Sequence, residues 1–172
     1  MRSLLGFLGL ERPAPDAGDA IHRIADQLRR LEPARARYVA AFAFVLSRVA
    51  SADHEISADE TTTMENLVRD KADLADDQAT LVVEIARAQQ KMFGGTDDFL
   101  VTRELAGLAS YDQKLAIVDC LFAVAAADKS VRVAETNEIA HIAQQLRVDP
   151  EDVRRLRYQY SEHLAARKLG TD

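Results

Sequence analysis

Apolar residues recur along this chain at intervals of three and four positions, the spacing of α-helices that each bury one face. The clearest stripe lies on the second predicted helix and consists of Tyr38, Phe42, Val45, Val49 and Ala52. A similar stripe near the C-terminus consists of Val153, Leu156, Tyr160 and Leu164. No segment has a convincing strand pattern, so the sequence predicts an all-α fold.

Local start and stop signals divide the chain into seven or eight helices. Residues 57–60 and 110–113 are capping boxes, in which a Ser and the Glu or Gln three positions later bond each other's backbone N–H groups. Asp149 followed by Pro150 combines an N-cap with the residue favoured at the first helical position. The predicted helices cover about 19–31, 33–52, 57–70, 76–92, 97–105, 110–127, 134–146 and the segment after 149.

The first 18 residues are predicted to be a flexible tail and linker. Their apolar run is short and holds two glycines, and a Pro-containing polar stretch follows it. No apolar run approaches the ~20 residues of a membrane span, so no transmembrane segment is expected. Residues 19–172 are predicted to form one helical domain.

Composition narrows the functional classes. The net charge of −6 argues against a nucleic-acid partner, because phosphate contacts require clustered Lys and Arg. The basic cluster at Arg147, Arg154, Arg155 and Arg157 is interpreted as a solvated helix face, with an ion pair between Glu151 and Arg155. The single cysteine, Cys120, lies in an apolar stretch, is predicted to be a core residue and fits a reducing compartment.

An internal repeat is the most informative feature of the sequence. Residues 46–60 and 121–135 both read L-x-x-V-A-x-A-D-x-x-[I/V]-x-x-x-E, at an offset of 75 positions. Each copy is predicted to be a helix, an acidic loop and a second helix whose first turn carries the Glu, where the helix dipole favours negative charge. The two units are expected to pack pseudo-symmetrically as one bundle-like domain.

This duplicated pattern resembles the TerB family of tellurite-resistance proteins, and residues 98–105 are similar to the family's segment before its second half. The resemblance covers about residues 33–164. It implies an all-α fold, a cytoplasmic location often close to the inner membrane, and a role in bacterial tellurite resistance or stress response, without an established catalytic activity. The family usually has Gly after the repeated Asp, whereas this chain has His54 and Lys129.

Four carboxylates form the one constellation that points to chemistry: Asp53, Glu60, Asp128 and Glu135. If the two units pack symmetrically, these side chains approach each other and can hold a hard divalent cation. The alternative is that each acid stabilises only its own loop and helix start.

No nucleophile–base pair, phosphate loop or paired zinc-ligand motif is visible in the sequence, so no enzyme activity is expected. The leading hypothesis is a non-catalytic interaction module with a protein partner, either in the cytoplasm or at the membrane. The alternative hypothesis is a divalent-metal-binding or metal-sensing domain that uses the duplicated acidic loops.

Overall fold

The computed structural model describes residues 19–50, 58–92, 98–127 and 133–169, and every element in these ranges is an α-helix. This confirms the predicted all-α class. In chain order the helices are α1 (Asp19–Arg30), α2 (Pro33–Ala50), α3 (Ala58–Ala72), α4 (Asp76–Met92), α5 (Asp98–Leu108), α6 (Tyr111–Ala127), α7 (Val133–Gln145) and α8 (Pro150–Leu169).

Helices α2 and α6 form the centre of the core. Helix α2 packs against α1, α4, α5, α6 and α7, while α6 packs against α3, α7 and α8 as well as α2. Both helices are rich in Ala, whose small side chain lets neighbouring helices approach closely, and Ala40, Ala41 and Ala43 are fully buried. An apolar helix that is surrounded by neighbours buries most of its circumference rather than one stripe.

The stripe predicted for α2 is therefore too narrow. Ala36 and nearly every residue from Tyr38 to Val49 are buried, including the polar Ser47. The Ser47 hydroxyl donates to the backbone oxygen of Phe44 at 2.7 Å, which satisfies this polar group inside the core.

The predicted helix starts that lie within the described ranges are confirmed at atomic detail. Ser110 Oγ accepts from the N–H of Gln113 at 3.2 Å, and the Gln113 side chain accepts from the N–H of Ser110 at 2.9 Å. The Asp149 carboxylate caps α8 by accepting from the N–H of Glu151 at 2.8 Å. The capping box at 57–60 begins at a residue outside the described ranges.

Two helices end on residues with a left-handed backbone that are not glycine. Asp73 follows α3 with φ of 51°, and Arg147 follows α7 with φ of 61°. At the end of α7 the N–H of Arg147 bonds to the carbonyl of Gln144, and the N–H of Val148 bonds to that of Ala143. This pair of bonds is a Schellman motif, whose left-handed position glycine occupies most readily.

The described helices contain no segment that is long and apolar enough to cross a membrane. Some of the helix packing is the same around both repeat units: α2 packs on α4, and α6 packs on α8 in the same way along the chain order. Helix α1, however, packs against α2 and α4, whereas α5 packs against α2 and α7. The pseudo-twofold relation between the units stays a prediction.

Candidate functional site

The acidic set proposed from the sequence is only partly within the described residues. Glu60 is exposed near the start of α3, and Glu135 is buried in the first turn of α7. Asp53 and Asp128 lie outside the described residues. Among those that are described, no group of three or more His, Cys, Asp or Glu could hold a metal ion. The four-carboxylate cation site stays a prediction.

A different feature stands out on the surface: an open groove between α5 and α7 that the start of α6 closes at one side. Its volume is about 700 Å³. The α5 wall consists of Phe99, Arg103, Ala106 and Gly107. Small residues at 106 and 107 leave the space, and Phe99 is 56% exposed at the rim. We call this feature the α5–α7 groove.

The lining of the α5–α7 groove is basic although the chain as a whole is acidic. Arg103, Lys114 and Arg147 contribute three cationic side chains, and the described residues that line the groove include no Asp or Glu. Within the described residues, none of these three side chains forms an ion pair. The Arg103 guanidinium lies 5.8 Å from the centroid of the Phe99 ring, so a cation and an aromatic face are presented together.

Beneath the groove, Arg48 joins three helices. Its side chain, only 8% exposed, reaches from α2 to Glu138 on α7 with an N–O distance of 2.6 Å. It also donates to Thr102 Oγ1 on α5 at 2.9 Å and to Gln145 Oε1 on α7 at 3.2 Å. This network fixes the two helices that form the groove walls against the core.

The network continues to the groove surface through Gln145. A guanidinium can only donate hydrogen bonds, so the Gln145 oxygen faces Arg48 and its amide nitrogen faces His141. The Gln145 Nε2 to His141 Nε2 distance is 3.0 Å. His141 Nε2 is therefore the acceptor, and neutral His141 carries its proton on Nδ1. Hydrogen bonds that run from Arg48 through Gln145 therefore orient His141 in the groove lining.

A second polar cluster ties α3, α6 and α8 together on another side of the molecule. The Lys71 ammonium and the Tyr160 hydroxyl both donate to Asp119, at 2.8 and 2.6 Å. The Tyr160 ring stacks on Phe122 with centroids 6.0 Å apart. Burial and the bond to Asp119 raise the pKa of Tyr160 to about 12. Burial alone would lower the pKa of Lys71, but its bonds to Asp119 and Tyr160 more than offset that and raise it.

Cys120 is fully buried, as the sequence predicted, and burial raises the pKa of its thiol to about 12. A thiol in that state is a poor nucleophile.

The basic face of α8 differs in one detail from its prediction. Arg155 pairs with Asp152 at 2.6 Å, and Glu151 instead lies 3.9 Å from Arg154. Asp152, three positions before Arg155, therefore pairs with the Arg155 guanidinium, whereas the predicted partner was Glu151, four positions before it.

The signals for the α5–α7 groove in the sequence are weak. Arg103 and Lys114 have no basic residue next to them in the sequence. Arg147 lies near the arginines of α8, and all of them are interpreted from the sequence as a solvated helix face. Gly107 lies beyond the predicted end of its helix at residue 105, so the sequence alone does not identify it as a helical residue. The three cations come together only because α5, the start of α6 and the end of α7 meet in the fold.

Comparison with protein families gives a match to the model described as tellurite resistance protein TerB, over residues 39–158. The matched stretch runs from α2 into α8 and includes both repeat units and the α5–α7 groove. Comparison with curated proteins and with solved structures gives no match.

Proposed function

The chain belongs to the TerB family of tellurite-resistance proteins, and from this premise we propose that it is a non-catalytic protein-interaction module in a bacterial tellurite-resistance or stress response. The observation that carries the proposal is the family match over most of the chain. In this proposal the module acts in the cytoplasm, either free or on a partner at the inner face of the membrane.

The shape of the candidate site supports an interaction role. Enclosed pockets that take small ligands bury most of the ligand's surface, whereas the α5–α7 groove is partly open to solvent. Its exposed aromatic and its arginines are residue types enriched at protein interfaces. The one cysteine is buried with a raised pKa, so it does not supply a thiolate nucleophile.

The proposal is tested by capture followed by reconstitution. The full chain, carrying an affinity tag, is produced in its bacterial host, exposed to tellurite, crosslinked reversibly and purified. We expect a defined polypeptide to be enriched over a tagged control protein. When purified and mixed with the chain, that polypeptide should elute with it in a complex of fixed stoichiometry by light scattering. Failure of every enriched polypeptide to form such a complex would overturn the proposed function.

The divalent-metal hypothesis has a separate test. A ligand that binds only the folded state stabilises it by about 2.7 kcal/mol at a hundredfold excess over Kd. A cation site at Asp53, Glu60, Asp128 and Glu135 predicts a clear rise in melting temperature with Ca²⁺, Mg²⁺ or Zn²⁺. The double change Asp53→Asn with Asp128→Asn should abolish that rise.

If the acids serve only their own loops, these metals should leave the melting temperature unchanged. The Asn pair should then cost modest stability through loss of charge. A metal-dependent rise that survives the Asn pair contradicts the four-carboxylate site.

A further inference from the structure

We propose that the α5–α7 groove binds an acidic segment of a partner polypeptide, with one aromatic or aliphatic side chain of that segment seated beside Phe99. The proposal rests on the proposed function, since it names the chemistry of the partner for the same interaction module. Three independent features of the groove support it: its charge, a glycine in its wall and a strained arginine at its edge.

Charge complementarity selects an acidic occupant. Arg103, Lys114 and Arg147 line the groove with no carboxylate among the lining residues that the structure describes, on a chain whose net charge is −6. Clusters of arginine that lack an internal partner commonly recognise acidic motifs. The exposed ring of Phe99 adds an apolar contact at the rim, so the fitting segment carries both carboxylates and an apolar side chain.

Gly107 keeps the groove open at a cost to its own helix. It lies within α5, where glycine is less favourable than alanine, and its surface is exposed. A Cβ added there would meet no atom within 4 Å, so the fold itself does not require glycine. The absent side chain leaves room for the backbone of an occupant to approach α5 closely.

Arg147 holds its side chain on the groove from a strained backbone position. Its φ of 61° lies in the left-handed region, which costs any residue with a Cβ and which glycine adopts freely. Residues kept in such conformations occur preferentially at functional sites. In this proposal, the guanidinium that Arg147 places on the groove lining accounts for an arginine rather than a glycine after α7.

The same features favour a polypeptide over other anions. A nucleic acid is a long polyanion, and beyond the groove it would meet a chain whose net charge is −6. An inorganic anion would fill only a small part of about 700 Å³. A short acidic peptide can place its carboxylates on the three cations and its apolar side chain on Phe99.

Fluorescence anisotropy with the full chain tests the proposal directly. The probe is a fluorescein-labelled helical peptide of about 14 residues, with Asp and Glu flanking one Phe and one Leu on the same face. Its matched control replaces each Asp and Glu by Asn and Gln. We expect the acidic probe to bind about tenfold more tightly than the neutral one, because three charge contacts at the protein surface each contribute modestly. Added salt should weaken only the acidic probe.

Four variants separate binding from folding. Gly107→Gln should fill the groove and reduce binding at least tenfold while melting no lower than wild type, because Gln favours helix more than Gly. Arg147→Gly should also weaken binding, yet raise the melting temperature by about 2 °C through relief of backbone strain. The matched controls are Asp73→Gly, which relieves the other left-handed residue, and the exposed pair Arg37→Gln with Arg87→Gln. Both controls should bind like wild type.

The groove proposal is overturned if the neutral probe binds as tightly as the acidic one. It is also overturned if Gly107→Gln and Arg147→Gly bind normally, or if ATP or a short RNA displaces the probe more effectively than unlabelled acidic peptide. None of these results would change the outcome of the capture experiment, which tests the proposed function separately. A partner that still forms a stable complex with Gly107→Gln and Arg147→Gly would leave the interaction module standing and place its binding site elsewhere.

Discussion

Among single residues, Arg48 shows how a charged side chain can hold a helical core together. It lies on α2 with its side chain 8% exposed and bonds to residues of α5 and α7. A buried cation is stable only when its N–H donors have acceptors. Here a carboxylate, a hydroxyl and an amide oxygen accept hydrogen bonds from the Arg48 guanidinium. Sequence periodicity cannot show the partners of Arg48, since Glu138 lies 90 positions away.

Replacing Arg48 by Met should destabilise the fold by about 1–3 kcal/mol, because the part-buried Glu138 and Gln145 side chains would each lose a hydrogen bond to a charged group. The double variant Arg48→Met with Glu138→Gln should recover part of that loss, since it removes the unpaired charge. Urea unfolding of both variants, followed by circular dichroism, gives the two free energies. Equal stability of the single variant and wild type would show that the network contributes nothing.

At the scale of helices, the sequence predicted most where the determinants are local. Helix α4 has the bounds predicted from its flanking signals, and α8 begins at Pro150 as expected. Helix α5 runs three residues beyond its predicted end at Leu105, because Leu105 accepts from the N–H of Ala109 and Gly107 is kept within the helix. A glycine weakens a helix but does not end it when packing favours continuation.

The capping box of α6 provides a test at this scale. Ser110→Ala should cost about 1 kcal/mol, because the N–H of Gln113 loses its acceptor. Ser110→Asp should retain most of the stability, since Asp is an equally good N-cap and adds favourable charge near the helix start. Thermal melts of the two variants check the ranking. Equal melting temperatures for Ala and Asp at this position would contradict the cap.

At the scale of the whole molecule, groups that are distant in sequence create the features that the sequence could not predict. Lys71, Asp119 and Tyr160 come from three helices and meet in one cluster. The α5–α7 groove likewise needs three separate segments. Periodicity identifies which face of each helix is buried, but it does not specify which helices become neighbours. The fold class was therefore predictable, whereas the candidate site was not.

The stability of the fold should fall at alkaline pH, because three buried groups are protonated in the folded state. The pKa values of Tyr38, Cys120 and Tyr160 are each raised to about 12 from ordinary values of 10.0, 9.0 and 10.0, chiefly by burial. A raised folded-state pKa means that the unfolded chain loses its proton first. The stabilising contribution is thus complete below pH 9 and declines between about pH 9 and 12.

We expect the melting temperature to be steady from pH 7 to 9 and to fall progressively above that range. Tyr160→Phe keeps the ring but removes one titrating hydroxyl, so its decline between pH 10 and 12 should be shallower than that of wild type. Its stability at neutral pH should be lower, because the bond to Asp119 is lost. A melting temperature that stays constant to pH 12 would contradict the burial of these groups.

Hydrogen exchange of the full chain, with and without the purified partner from the capture experiment, tests most directly whether the α5–α7 groove is the interaction site. Partner binding should slow exchange in α5 and in the last turns of α7, while α3 and α4 keep their free-state rates. Protection confined to α3 and α4, or no added protection in α5 and α7 within a stable complex, would contradict the assignment of the groove.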